Sequence, residues 1–274
     1  MNFSAMNVRA RLGLLRRQLL SSAYSRRVWL KSGDPIVSFT FDDFPRTALT
    51  VGGRMLTSYG ARGTYYAAVG LMNQSNDLGE QFRREDLNTL LGEGHELASH
   101  TFSHVSCRST SSSQFKKEVE QGRRAIQELM GLSDSGNFAF PFGEVTLNAK
   151  RAMGKDLASC RGIWPGCNGP GVDLNLLRAN SLYGDYSRWA QVQQLILENE
   201  RRRSWLIFYT HDVQDAPSRF GCTPALLEAA LSFASERGAR ILTVAEVVAE
   251  LVSSPPEAES CSASGHNQAE LTRR

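Results

Sequence analysis

The sequence predicts an α/β fold: a distorted (β/α) barrel with a mostly parallel sheet of seven or eight strands. Three observations lead there. Short apolar stretches alternate with amphipathic helical stretches from Ile36 to Leu251, the pattern of a parallel sheet covered by helices. The length of 274 residues suits one α/β-barrel domain. Polar motifs also recur where apolar stretches end, and α/β barrels carry their chemistry at strand ends.

In chain order, the expected strands are Ile36–Phe41, Gly63–Ala67, His95–Ala98, Asn137–Phe140, Leu177–Leu182, Trp205–Tyr209 and Arg240–Thr243. They are short apolar runs, several rich in β-branched or aromatic residues. Helical stretches lie between them. "EDLNTLLGEG" ends on a glycine stop, and "SSQFKKEVEQGRRAIQELMG" opens on serine caps and closes at Gly131. "SRWAQVQQLILENERRR" and "TPALLEAALSFASERG" follow the same logic, the second with Pro224 in its first turn. No internal repeat is present.

The apolar fraction of 41% and charged fraction of 22% are those of an ordinary globular chain, and a net charge of +3 with no recognition motif argues against nucleic acid. No apolar run is long enough to cross a bilayer. Residues 1–30 form a basic segment, expected to be helical, whose leucines are interrupted by Arg9, Arg11, Arg16 and Arg17. That interruption leaves no secretory h-region, so a cytoplasmic location is expected. The segment reads as a surface helix packing its leucines on the domain, or as a contact for an anionic membrane surface. Residues 31–252 form the barrel. The polar tail 253–274, with its proline pair, is expected to be disordered. Five scattered cysteines without a CxxC spacing fit reduced, structural thiols.

Three strand ends carry candidate chemistry. "IVSFTFDDFP" runs an apolar strand into Asp42 and Asp43. Two adjacent carboxylates there are costly unless something pairs with them, although Asp also suits an N-cap. "ELASHTFSH" places His100 and His104 four residues apart, on one side of a helical turn. Two imidazoles and one carboxylate make the three-ligand set of a catalytic zinc site. "WLIFYTHDV" ends at His211-Asp212, either a turn pair or a general acid facing the metal site.

Together, "TFDDFP", "HTFSH", "AFPFG" and "FYTHD" resemble the ordered motifs of the polysaccharide deacetylase family, carbohydrate esterase family four, over about Pro35 to Leu251. The resemblance implies a distorted (β/α) barrel. It makes Asp42 the general base, Asp43, His100 and His104 the ligands of a divalent metal (Zn2+ first, Co2+ or Ni2+ next), and His211 the general acid. It also implies that the backbone N–H of Phe142 holds the substrate oxygen. The implied reaction is metal-dependent removal of N-acetyl groups from an N-acetylglucosamine-type oligo- or polysaccharide, such as a chitooligosaccharide or an exopolysaccharide precursor. Hydrolysis of a small non-sugar amide, and a degenerate carbohydrate-binding barrel, are the alternatives. Trp164, Phe142 and Tyr183 are aromatic candidates for sugar stacking, with core burial as the competing role.

Two positions depart from the family pattern. Phe44 follows the aspartates where glycine is common, and Ala139 stands where many members have the arginine that pairs with the base. Arg178, in "LLRANSLY", is the expected replacement for that arginine. Asp173 and Asp185 are the candidates for the aspartate that orients the catalytic histidine.

Overall fold

A computed structural model describes residues 18–30, 33–131 and 135–253. Arg9, Arg11, Arg16, Arg17, Cys261 and residues 254–274 of the tail lie outside the described residues. Of the N-terminal segment, residues 18–22 are helical, and Leu20 is buried against the core beside Phe138 and Met153.

Twelve strands occur among the described residues: β1 Arg27–Trp29, β2 Ile36–Asp42, β3 Thr64–Ala67, β4 Ser75–Asn76, β5 Gly79–Glu80, β6 Glu96–Ser99, β7 Asn137–Ala139, β8 Ser159–Arg161, β9 Gly171–Asp173, β10 Asn180–Ser181, β11 Trp205–Thr210 and β12 Arg240–Ile241. The main sheet has eight strands and runs β10-β11-β2-β3-β6-β7-β8. Every pairing along it is parallel. β12 takes the first half of one β2 edge, opposite Ile36 and Val37, and β3 takes the second half, Thr40 to Asp42. A bridge from Arg161 to Leu177 leads the β8 edge back toward β10 and curls the sheet into a distorted barrel.

β2 and β11 are buried at every position, as expected for central parallel strands covered on both faces. Alternation divides their side chains. Val37, Phe39 and Phe41 join the large core with Leu226, Leu227 and Leu231 of the helix Pro224–Glu236. On the opposite face, Ser38 accepts the Trp205 indole N–H at 2.9 Å and the Thr40 hydroxyl donates to the Phe208 carbonyl at 2.8 Å. Asp42 continues that polar face toward the barrel mouth.

The expected helix stops are present. Ser111 accepts the Gln114 N–H, and Gly131 ends the helix Ser112–Met130 at φ +65°. Thr223 caps the helix that opens at Pro224.

Two expectations change. The strand expected at Leu177–Leu182 reduces to the bridge at Leu177 and β10. Between them, the Arg178 N–H is taken by the Asn168 side chain and the Ala179 N–H by the Trp164 carbonyl, so a loop occupies that edge. β8, the antiparallel pair β1–β9, and the helices Leu147–Asp156 and Val244–Ser253 were not expected. β8 is three residues, Ser-Cys-Arg, too short and polar for a periodic signal.

Phe44 has a packing explanation. Its backbone is left-handed, φ +65°, where glycine is favoured. Its ring is fully buried, however, stacked on Phe82 at 4.7 Å and tilted against Tyr65 at 4.9 Å. Removing a buried Phe side chain costs about 3–5 kcal/mol, several times the left-handed penalty of about 1–2 kcal/mol. Phe44→Gly should therefore lower stability by about 2 kcal/mol or more in chemical denaturation. A stabilised variant would show that the backbone, not the aromatic stack, governs this position.

Candidate active site

The two aspartates separate because the chain changes hand between them. Continued as a strand, Asp43 would follow Phe39 and Phe41 toward the helix layer. Asp43 is instead left-handed at φ +63°, and Phe44 takes the place in the aromatic layer while the Asp43 carboxylate meets two histidines.

Asp42 is buried and ion-paired with Arg161, which is itself 1% exposed. The guanidinium lies 4.9 Å from the Tyr66 ring centroid and 5.2 Å from that of Tyr209, and it donates to the Gly162 carbonyl at 3.1 Å. Burial pushes the Asp42 carboxyl up, but Arg161, helped by His100 and His211, outweighs burial and holds it below the ordinary carboxylate value. Asp42 is thus ionised at neutral pH.

The expectation for Arg178 is corrected. Its guanidinium is exposed and donates to the Pro165 carbonyl at 3.0 Å. Arg161 stands directly across from Ala139 in the β7–β8 register, so the cation comes from the adjacent strand. A buried arginine at the end of a three-residue strand becomes visible only once that strand is paired.

Asp43 Oδ1 lies 3.1 Å from His104 Nε2 and 3.6 Å from His100 Nε2. One ligand atom from each residue falls within 4.8 Å of the others. The Asp43 Oδ1 atom is buried without a hydrogen-bond partner, a costly arrangement for a carboxylate oxygen unless a cation satisfies it. His100 Nδ1 is 2.8 Å from the Ala139 carbonyl, so neutral His100 donates there and keeps its Nε2 lone pair toward Asp43. Burial pushes His100 down to about 3 and lowers His104 as well. Both are therefore neutral at pH 7, the form a cation requires. Burial, with Asp42 nearby, raises Asp43 to about 6 against the opposing pull of His211. One carboxylate, two neutral imidazoles and an orphaned oxygen fit a divalent cation.

The helical turn expected between the histidines is absent: residues 100–106 are irregular. Left-handed Thr101 and His104, at φ +63° and +53°, bring the rings to 5.0 Å between centroids. The helix Ser112–Met130 holds this loop, with Glu118 accepting the Ser103 N–H at 2.9 Å and the Phe102 N–H at 3.0 Å. A Cβ at Gly122 of that helix would lie 2.8 Å from the Thr101 backbone, so the close approach depends on glycine.

His211 follows β11, with Nε2 4.0 Å from Asp43 Oδ2 and Nδ1 3.2 Å from the Phe220 carbonyl. That carbonyl, rather than Asp173 or Asp185, orients the ring. Asp173 receives Lys150 at 2.7 Å, and Asp185 caps a short helix by accepting the Ser187 N–H. Asp212 is fully buried and organises the loop that carries Phe220, accepting from Ser218 N at 2.8 Å and Gln214 Nε2 at 2.9 Å.

Asp42, Asp43, His100, His104 and His211 line one cavity of about 480 Å³, walled by Leu78, Ile163, Tyr183, Tyr209 and Phe220. Phe142 stands at its rim, left-handed at φ +59° and 60% exposed, with its ring 4.5 Å from that of His104. Tyr183 faces this cavity, whereas Trp164 packs on the second core and lines a different one. Five of the eight left-handed non-glycine residues among the described ones (Asp43, Phe44, Thr101, His104 and Phe142) surround this site. Such strain persists where the surrounding structure over-determines it.

Arg161→Ala leaves Asp42 buried and unpaired, and should cost about 3–5 kcal/mol in denaturant melts. Arg178→Ala should cost under about 0.5 kcal/mol. Equal losses would place the pairing cation elsewhere.

Residues 30–157 match the sequence profile of the polysaccharide deacetylase family. No curated protein matches the chain. Among solved structures, a family 4 acetyl xylan esterase from Clostridium thermocellum, in complex with a cobalt ion, is 19% identical; 78% of this chain and 91% of that one align, at a TM-score of 0.52. Bacillus subtilis PdaA, a family 4 carbohydrate esterase, is 12% identical over 88% of this chain and 89% of its own, at a TM-score of 0.54. The Bc1960 peptidoglycan N-acetylglucosamine deacetylase is 14% identical over 85% and 96%, also at 0.54. At these identities the structures speak for the shared fold, a distorted (β/α) barrel. The profile match covers the segment that carries Asp42, Asp43, His100 and His104, so residues 30–157 are similar to the polysaccharide deacetylase family.

Proposed function

We propose that the protein is a metal-dependent hydrolase that removes N-acetyl groups from an N-acetylglucosamine-type oligo- or polysaccharide. The observation that carries this reading is an Asp43–His100–His104 cluster that shares one cavity with an ionised, arginine-paired Asp42 and with His211, whose Nε2 lies 4.0 Å from Asp43.

Asp43, His100 and His104 would hold a divalent cation, Zn2+ first, with Co2+ and Ni2+ as alternatives. Such a cation supplies a Lewis acid for the amide carbonyl and lowers the pKa of water. Asp42 takes the proton of the attacking water; Arg161 keeps it ionised and fixed for that task. His211, held through Nδ1 by the Phe220 carbonyl, gives a proton from Nε2 to the departing nitrogen. His211 comes from the end of β11 and Asp42 from the end of β2, so the acid and the base are separate groups. The Phe142 N–H at the rim is assigned to the developing oxyanion. The apolar walls of Leu78, Ile163 and Phe220 keep bulk water from these charges, and Tyr183 offers a ring to the sugar.

The esterase among the structures of the same fold makes O-acetyl release a second reaction to measure. Acetate release should be followed on chitooligosaccharides of increasing length, on acetylated xylan and on small linear and cyclic amides. The expected result is metal-dependent release from the N-acetyl sugars. No release from any N-acetyl sugar, at any of the three metals, would remove the deacetylase reading and leave a binding barrel.

Asp42→Asn and His211→Ala should each lower kcat by about 10²–10⁴, with bound metal per chain unchanged. His104→Ala should lower the metal content itself, measured by elemental analysis on the same samples. Retained metal in that variant would contradict the ligand assignment.

A further inference from the structure

A second cavity, of about 600 Å³, opens beside β1, β9 and the loop 164–170. Ile163 faces the catalytic cavity and its neighbour Trp164 faces this one, so one loop separates the two. The second cavity collects cations without matching anions. Arg27, Arg178 and Arg202 all line it, and its carboxylate is Asp173. Arg27 lies opposite Asp173 in the β1–β9 register, yet that carboxylate is already engaged. Its Oδ2 accepts from Lys150 at 2.7 Å, and its Oδ1 accepts the N–H groups of Arg26 at 3.0 Å and Asn175 at 3.1 Å. The Arg178 guanidinium meets a carbonyl, not a carboxylate. Arg202 reaches Glu198 at 3.4 Å, a group that Arg201 already grips at 2.8 Å.

An aromatic face completes the cavity. Trp29 is 70% exposed, and its indole passes over Gly171, where a Cβ would lie 3.8 Å from Cζ3. Arginine forks select phosphate or carboxylate. An exposed indole selects a ring with an apolar face. We propose that this cavity binds a saccharide unit bearing a phosphate or a carboxylate, its ring on Trp29 and its anionic group among Arg27, Arg178 and Arg202. The proposal does not depend on the reaction assigned to the catalytic cavity.

Calorimetry and tryptophan fluorescence on the full chain test it with four probes: N-acetylglucosamine 6-phosphate, a hyaluronan tetrasaccharide, neutral chitotetraose and inorganic phosphate. The two anionic saccharides are expected to bind, to change the fluorescence, and to weaken as salt rises. Arg178→Gln and Trp29→Ala should each weaken that binding about tenfold while leaving the melting temperature and chitotetraose binding unchanged. Arg27→Gln serves as an independent variant if either melts early. Which anionic saccharide binds more tightly assigns the phosphate or the carboxylate. Inorganic phosphate binding as tightly as the saccharides would reduce the cavity to a simple anion site and overturn the proposal. Anionic saccharide binding that is absent, or indifferent to all three substitutions, would overturn it too.

Discussion

The buried ion pair between Asp42 and Arg161 is the constraint around which the mouth of the barrel is arranged. It joins the end of β2 to the end of β8, across strands that are not neighbours in the sheet. Both partners are nearly without solvent, so each charge depends on the other and on the aromatic rings around the guanidinium. The barrel must curl far enough to bring β8 opposite β2, and the Arg161–Leu177 bridge is where that curl is completed. The same carboxylate then helps set the charge of its neighbours, raising Asp43 beside it while the pair itself stays ionised.

Around this pair, the Asp43–His100–His104 cluster is a product of backbone strain held by packing. Left-handed residues at Asp43, Thr101 and His104 turn three side chains toward one point. The helix Ser112–Met130 anchors the histidine loop, and the stack of Phe44, Phe82 and Tyr65 anchors the aspartate turn. Rigid supports of this kind let an orphaned carboxylate oxygen persist in the interior. His211 is oriented more simply, by one carbonyl on a loop that buried Asp212 holds in shape.

The departure at Ala139 shows how a local reading and a spatial one can differ. In sequence, the position lacks its arginine and the base looks unsupported. In space, the arginine is the cross-strand neighbour of Ala139 and points into the same site. Ala139 leaves room at that position, while its carbonyl sets the tautomer of His100. The charge that serves Asp42 comes from the strand beside Ala139 and stays at the barrel mouth.

The sequence alone determined the features that local chemistry dictates. Run-on apolar strands, helix caps and glycine stops announced the parallel barrel, and motifs at strand ends singled out Asp42, Asp43, His100, His104 and His211, which the fold gathers around one cavity. These signals are legible because period, capping and ligand type are properties of a few consecutive residues. Only the tertiary structure decided which arginine serves Asp42, what orients His211 and how the two histidines converge. Arg161, the Phe220 carbonyl and the left-handed turns at Thr101 and His104 act through contacts between segments far apart in the chain. Register and close packing select such contacts, and neither leaves a period in the sequence.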